Sequence, residues 1–192
     1  MWPWEHAAVG YICASLAWRW IARRPPGDAP VLVLLFGTQF PDIVDKPLAW
    51  GVAILPSGQS LAHSLLFALP TVLVAGVVGV ASGRRNLPVS FAVGYLTHVA
   101  GDILYPVATG DPLALGFVFY PLTEPAPYPS GAFFGRVADL FTEFVSFLGT
   151  PTGTAYLVAE LGLVGVALAL WTADGTPLLD ALGRRLRGVL GR

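Results

Sequence analysis

The sequence predicts an all-α integral membrane helical bundle of about five transmembrane helices, and three observations carry that expectation. Of 192 residues, 55% are apolar and 12% charged, with a mean hydropathy of +0.66, whereas a soluble domain carries roughly 25% charged residues. Apolar stretches recur at the length of about 20 residues that a helix needs to cross about 30 Å of hydrocarbon. The few cations gather at the ends of those stretches. A net charge of −1 gives no clustered basic surface of the kind nucleic acid requires. The single cysteine, Cys13, excludes an intramolecular disulfide and a thiolate metal cage and reads as a small packing residue. Any chemistry is left to His, Asp and Glu.

The opening Met1-Trp2-Pro3-Trp4-Glu5-His6 has neither a basic segment nor a small-residue cleavage pattern, so it reads as retained. Trp2 and Trp4 suit an aromatic belt at headgroup level, with Glu5 beside them at the interface. The first span is Trp4–Ile21, whose Arg19 can snorkel to the interface. Pro30–Phe40 covers only about half a bilayer before the polar run Pro41-Asp42-Ile43-Val44-Asp45-Lys46, so it is a short crossing or a re-entrant half-helix. Leu61–Ala81, Pro88–Ala108 and Pro151–Thr172 are full-length spans. Gly10 with Ala14, and Gly76 with Gly79, supply small residues for close helix packing.

Short cytoplasmic loops collect Arg and Lys. Arg23 and Arg24, then Arg84 and Arg85, then Arg184, Arg185 and Arg187 all follow apolar stretches. If residues 24 and 85 share a side and 61–81 crosses once, the chain must also cross between 24 and 61. That favours a short crossing and yields five spans, with the amino terminus outside and the carboxyl terminus cytoplasmic. The prolines of 106–130 argue against regular helix there. Gly131–Gly149 reads as an amphipathic interfacial helix, a lid or an anchor, and Thr176–Leu190 as a basic cytoplasmic tail helix. Residues 1–192 thus form one membrane domain: a motif-bearing core (1–108), an outer loop with the amphipathic helix (109–150), and the last span with its tail (151–192).

All three histidines of the chain, His6, His63 and His98, lie in or at the edge of these apolar spans. Asp42, Asp45 and Asp102 accompany them. Charged groups in hydrocarbon cost several kcal/mol, so they call for named partners. His98 and Asp102 are four residues apart and therefore share a helix face, a geometry that lets two ligands reach one metal. Gly94, one turn earlier, leaves room beside them. The five-span topology places all six residues in the outer half of the bilayer, although no His or Asp was used to set it. Each has a plainer reading: His6 as an interfacial polar residue, Pro-Asp-x-x-Asp as a turn with a helix cap, His63 as an interhelical hydrogen bond. Glu160, mid-span, is a polar contact, a proton shuttle or a carboxylate supporting the site.

In order and spacing, Glu-His at 5–6, Phe-Pro-Asp-Ile-x-Asp at 40–45, Ala-His-Ser-Leu-Leu-Phe at 62–67 and Gly-Tyr-Leu-Thr-His-x-x-x-Asp at 94–102 resemble the LexA-regulated, membrane-bound, metal-dependent hydrolase family (YdjM-like). The resemblance covers residues 1–108. It implies a multi-span protein of the inner (plasma) membrane and a divalent-metal hydrolase, with His6, Asp42, Asp45, His63, His98 and Asp102 on its motif positions. Gly58 and Gln59 stand where many members carry a His-Arg pair. A looser similarity is to zinc-dependent phospholipases C.

The expected chemistry is hydrolysis at the outer membrane face, with a metal lowering the pKa of water toward about 7. His6, His63, His98 and Asp102 are the expected ligands of one ion. Asp42 and Asp45 either bridge a second ion or include the carboxylate that takes a proton from water. Zn²⁺ suits mixed imidazole and carboxylate best, with Mn²⁺ or Fe as alternatives. Membrane lipid, as a lipid-linked or phosphate ester substrate, is the expected partner. The rivals are an ion or proton transporter and a noncatalytic protein whose metal staples its helices. Transport is disfavoured because the inner halves of the spans offer no ionisable residue beyond terminal arginines.

Overall fold

A computed structural model describes residues 1–125 and 133–179. All regular structure in them is helical: α1 (Pro3–Ile21), α2 (Asp28–Lys46), a π-helical turn (Pro47–Gly51), α3 (Leu65–Ala81), α4 (Asn86–Thr109), α5 (Phe133–Leu148) and α6 (Pro151–Ala173). Two of these, α4 and α6, are long and apolar enough to cross a membrane, and α3 is a shorter apolar helix.

The largest departure from expectation is α2. The apolar stretch 30–40 is the middle of a nineteen-residue helix, not an eleven-residue segment ended by a turn. Pro41, Asp42 and Asp45 lie inside it. Hydropathy along the chain falls at Asp42 because the buried face of the helix, apolar at Val31 and Leu34, turns polar at Thr38 and Asp45. Thr38 and Asp45 are fully buried, while Leu32, Phe36 and Ile43 are exposed. A proline within a helix removes one backbone hydrogen bond, and here the helix continues past Pro41 to Lys46. The π-helical turn then follows where Pro47 again lacks a donor, and π-turns are frequent at functional sites.

The third span is also shifted. Helix α3 begins at Leu65, not Leu61, because Ser64 caps it, its Oγ accepting from the Leu66 amide at 3.1 Å. Ser/Thr/Asp/Asn before an apolar run is the usual N-cap signature. His63 therefore sits in the loop ahead of α3. Helix α4 runs through Pro106 to Thr109 and stops at Gly110, whose φ of +100° is the left-handed conformation that glycine tolerates. From 110 to 125 there are turns and no regular helix, as the prolines lead one to expect.

Helices α2 and α4 form the closest pair. A Cβ on Gly37 would lie 2.7 Å from the Phe91 carbonyl oxygen, and one on Gly94 would lie 2.9 Å from the Thr38 amide and closer still to the Leu34 carbonyl. Gly10 meets the Thr38 side chain and Gly79 meets Pro88, whereas Gly76 has open space beside it. Helix α1 packs across α2, α4 and α6, and α3 lies on α4. One apolar cluster (Ala68, Phe91, Tyr95, Val99, Phe117, Val118) joins α3, α4 and the loop after it, and another (Tyr11, Ala14, Val31, Leu34) joins α1 and α2.

Polar residues concentrate at both ends of this bundle. One end holds the His and Asp residues described below. At the other, Asp174 accepts from Tyr11 Oη (2.8 Å), Ser15 Oγ (2.7 Å) and Arg19 Nε (2.9 Å), tying α6 to α1. Its side chain is fully buried, and it sits just beyond the last residue of α6 as its C-cap. Cys13 is exposed and not packed. Glu5 is buried rather than interfacial, its Oε2 accepting from the Trp2 amide in the first turn of α1. The amphipathic segment is α5, as described from Phe133 onward. It contacts α6 and the π-helical turn. The tail helix expected over 176–190 lies outside the described residues from position 180 on.

Candidate metal centre

Four donors from three stretches converge: Asp42 from α2, His63 from the loop before α3, and His98 and Asp102 one turn apart on α4. One ligating atom of each lies within 4.8 Å of every other. His63 Nε2 is 3.1 Å from His98 Nε2, 3.5 Å from Asp42 Oδ1 and 3.3 Å from Asp102 Oδ2. His98 Nε2 is 3.5 Å from the same Asp102 oxygen and 3.8 Å from Asp42 Oδ1.

The far side of each imidazole is committed. His63 Nδ1 donates to Asp45 Oδ2 at 2.8 Å, and His98 Nδ1 donates to the Thr38 carbonyl at 2.7 Å. A hydrogen bond at one ring nitrogen fixes the tautomer and leaves the other nitrogen's lone pair for a cation. Both lone pairs then face each other in a space rimmed by two carboxylates, an arrangement that suits a positive ion.

Asp45 stands behind this set. Its Oδ2 also accepts from the Ser60 amide (2.8 Å) and the His63 amide (3.2 Å), and its Oδ1 accepts from the Ala62 amide (2.9 Å). These contacts fold the loop 60–63 and aim His63. Both oxygens are spent on that task, so Asp45 is placed to position a ligand rather than to bind an ion, and its expected part in a second ion has no geometric support. His6 lies beside the cluster, its ring stacked on His98 at 3.7 Å between centroids and its Nε2 3.3 Å from Asp102 Oδ1. It is 1% exposed, and neither ring nitrogen has a hydrogen-bond partner. A buried orphaned imidazole next to a carboxylate asks for an ion or water there. The Met1 amine donates to the same Asp102 oxygen at 2.7 Å, so Asp102 faces the four-donor set with one oxygen and His6 with the other.

Burial disfavours an imidazolium at His63, yet the hydrogen bonds its ring donates to Asp102, Asp42 and Asp45 outweigh it and push its pKa up to about 10.

Several residues of the site carry no signal in a linear reading. Thr38 contributes only a carbonyl. Gln59 donates to Asp102 Oδ2 at 2.8 Å, and Tyr95 Oη donates to the Ala62 carbonyl at 2.6 Å. Lys46 pairs with Asp42 Oδ2, a relation that their i, i+4 spacing would have shown had the segment been read as helix. Glu160 is an interhelical contact, accepting from Trp4 Nε1.

The comparison with protein families decides the kinship: the YdjM inner membrane protein family matches residues 1–176. The chain belongs to that family. The YdjM match runs through α6, well beyond the motif-bearing first 108 residues, and so includes all six His and Asp residues together with α5. No curated protein and no solved structure matches the chain significantly.

Proposed function

We propose that this YdjM-family protein is a membrane-bound metal-dependent hydrolase acting on a lipid or lipid-linked phosphate ester. The observation that carries the reading is a cavity of about 820 Å³ that reaches Asp42, Gln59 and Asp102, so the four-donor set has an approach from outside. Zn²⁺ fits two imidazoles and two carboxylates best, with Mn²⁺ or Fe as alternatives. A divalent ion held there supplies Lewis acidity and makes water a competent nucleophile near neutral pH. His63, His98, Asp42 and Asp102 hold it, and Asp45 and the Thr38 carbonyl aim the two imidazoles. Asp42 lines the cavity and Asp45 does not, so Asp42 would hold the ion on the side from which a substrate approaches, with Lys46 on its other oxygen. His6, against the other oxygen of Asp102, is placed to share that carboxylate with a second ion.

The membrane reading is five crossings by α1, α2, α3, α4 and α6, amino terminus outside. Support comes from the outward faces: Leu69, Leu73, Val77 and Val80 on α3 and Val158, Leu161 and Leu168 on α6 are exposed. Soluble proteins rarely leave such contiguous apolar surface uncovered. The arginines at 23–24 and 84–85 lie at the end opposite the site, consistent with a site in the outer half.

Four protein donors would also complete a tetrahedral ion, which favours a structural staple. Metal analysis of purified protein followed by Co²⁺ substitution separates the two. Hydrolysis requires at least one bound ion whose visible spectrum shifts on adding a small anion, and loss of both metal and turnover in Asp102→Asn. A spectrum indifferent to anions supports the staple, and protein without metal in every preparation ends the metal reading.

A further inference from the structure

The cavity above the site has a direction to it. Its floor is polar, with Asp42, Gln59 and Asp102, and one wall is α5, which lines it with Phe133, Val137, Leu140, Phe144 and Phe147. Two cations stand on this path. Lys46 belongs to the end of α2 beside Asp42, with Nζ 5.6 Å over the Trp50 ring, and its side chain is 26% exposed. Arg136 comes from α5, with its side chain 11% exposed, and pairs at 3.8 Å with Glu143, whose side chain is 66% exposed. Both cations line the cavity. A charge held out of water interacts more strongly with a ligand than one on the open surface.

We propose that the cavity takes a single-chain anionic amphiphile with a phosphate headgroup, drawn from the membrane. Its phosphate lies over the Lys46–Asp42 pair at the polar floor, with Arg136 closing from α5, and its chain runs along the Phe and Leu residues of α5 to Trp50. A phosphate suits the place because its oxygens diverge tetrahedrally and can face Lys46 and the cluster at once. A carboxylate has two oxygens in one plane. The volume of about 820 Å³ is near the top of the roughly 300–1,000 Å³ of ordinary ligand pockets, enough for a headgroup with one chain. Lys46 and Arg136 are thereby residues that select the headgroup. The proposal rests on the hydrolase reading only for the headgroup's place beside the metal ligands, since binding needs no turnover.

The test is thermal stabilisation of the full chain, metal-loaded and in dodecyl maltoside, titrated with dodecyl phosphate, with inorganic phosphate or with dodecyltrimethylammonium. A ligand that binds the folded state raises the melting temperature, by more the further its concentration exceeds its dissociation constant. Dodecyl phosphate should stabilise at concentrations at least about tenfold below the other two, a difference of roughly 1.4 kcal/mol. Lys46→Met and Arg136→Met should each need about tenfold more of it, and Lys46→Arg should stay close to wild type. Arg136 lies on α5, away from the helices that carry the ligands, so its variant reports on the proposal even if Lys46→Met fails to fold. Equal response to inorganic phosphate would show a site for free phosphate and overturn the amphiphile. Equal response to the cationic amphiphile, or an unaltered response in Arg136→Met, would overturn the headgroup selection. Phosphate-selective binding without hydrolysis of any ester leaves this proposal standing and removes the hydrolase, and ester hydrolysis without phosphate selectivity does the reverse.

Discussion

His63 and His98 direct their Nε2 atoms at each other across 3.1 Å, each ring held from behind by its own Nδ1 hydrogen bond. Two neutral imidazoles would not hold their lone pairs face to face, so the pair defines a position for positive charge. Asp42 and Asp102 supply the compensating negative charge from either side. The predictions below concern what holds that pair and what it does.

Asp45 acts through His63, so Asp45→Asn should weaken metal binding without abolishing it. Partners of this kind typically contribute 10–100-fold in affinity. Competition against a graded series of chelators measures the loss. Affinity equal to wild type would show that the loop amides alone, without the carboxylate, aim the ring.

His63, with its pKa raised to about 10 against about 6.5 unfolded, makes the metal-free protein pH-dependent. Its stabilising contribution is fully present below about pH 6.5 and is lost as pH rises through about 10. Metal must displace that proton, so apparent metal affinity should climb about tenfold per pH unit over this window. Melting curves of metal-free protein and chelator competition across the window check both. His63→Asn should flatten the stability curve, and a drop that persists in that variant assigns it elsewhere.

Gly94 and Gly76 should respond oppositely to the same change. Gly94→Ala forces a methyl against the α2 backbone and should cost about 1–3 kcal/mol. Gly76→Ala meets open space and gains helix propensity of up to about 1 kcal/mol. Denaturation in detergent compares the two. Equal effects would contradict the α2–α4 contact.

Cysteines introduced at Arg85 and Asp111, at the two ends of α4, should label from opposite faces of the membrane in a Cys13→Ser background. An impermeant maleimide applied to intact cells should reach position 111 alone. Labelling of both positions would overturn the proposed crossing of α4.

Much of this centre was legible in the sequence because charge is scarce. His98 and Asp102 announce one helix face by spacing alone, and residues forced into apolar surroundings must find each other. What was illegible has a common cause: hydropathy averaged along the chain mixes the two faces of a helix. In α2 the average falls at Asp42 although Ile43 beside it faces outward, so nineteen residues of helix read as eleven and a turn. Asp45 looked equivalent to Asp42 because one helical turn separates them. Only the amides of Ser60, Ala62 and His63, folded back from beyond the π-helical turn, show that Asp45 serves the loop and stands outside the four-donor set. Ser64 was a visible cap whose weight was lost inside an apolar run.

The donors span residues 42 to 102, and the one from the loop depends on α2 for its orientation. During synthesis, a chain that has emerged only through α3 carries Asp42, Asp45 and His63 but lacks the whole of α4. Until α4 seats Gly94 against α2, the four-donor set is incomplete. Its assembly therefore marks completion of the bundle, and a chain that ends before α4 has only part of it.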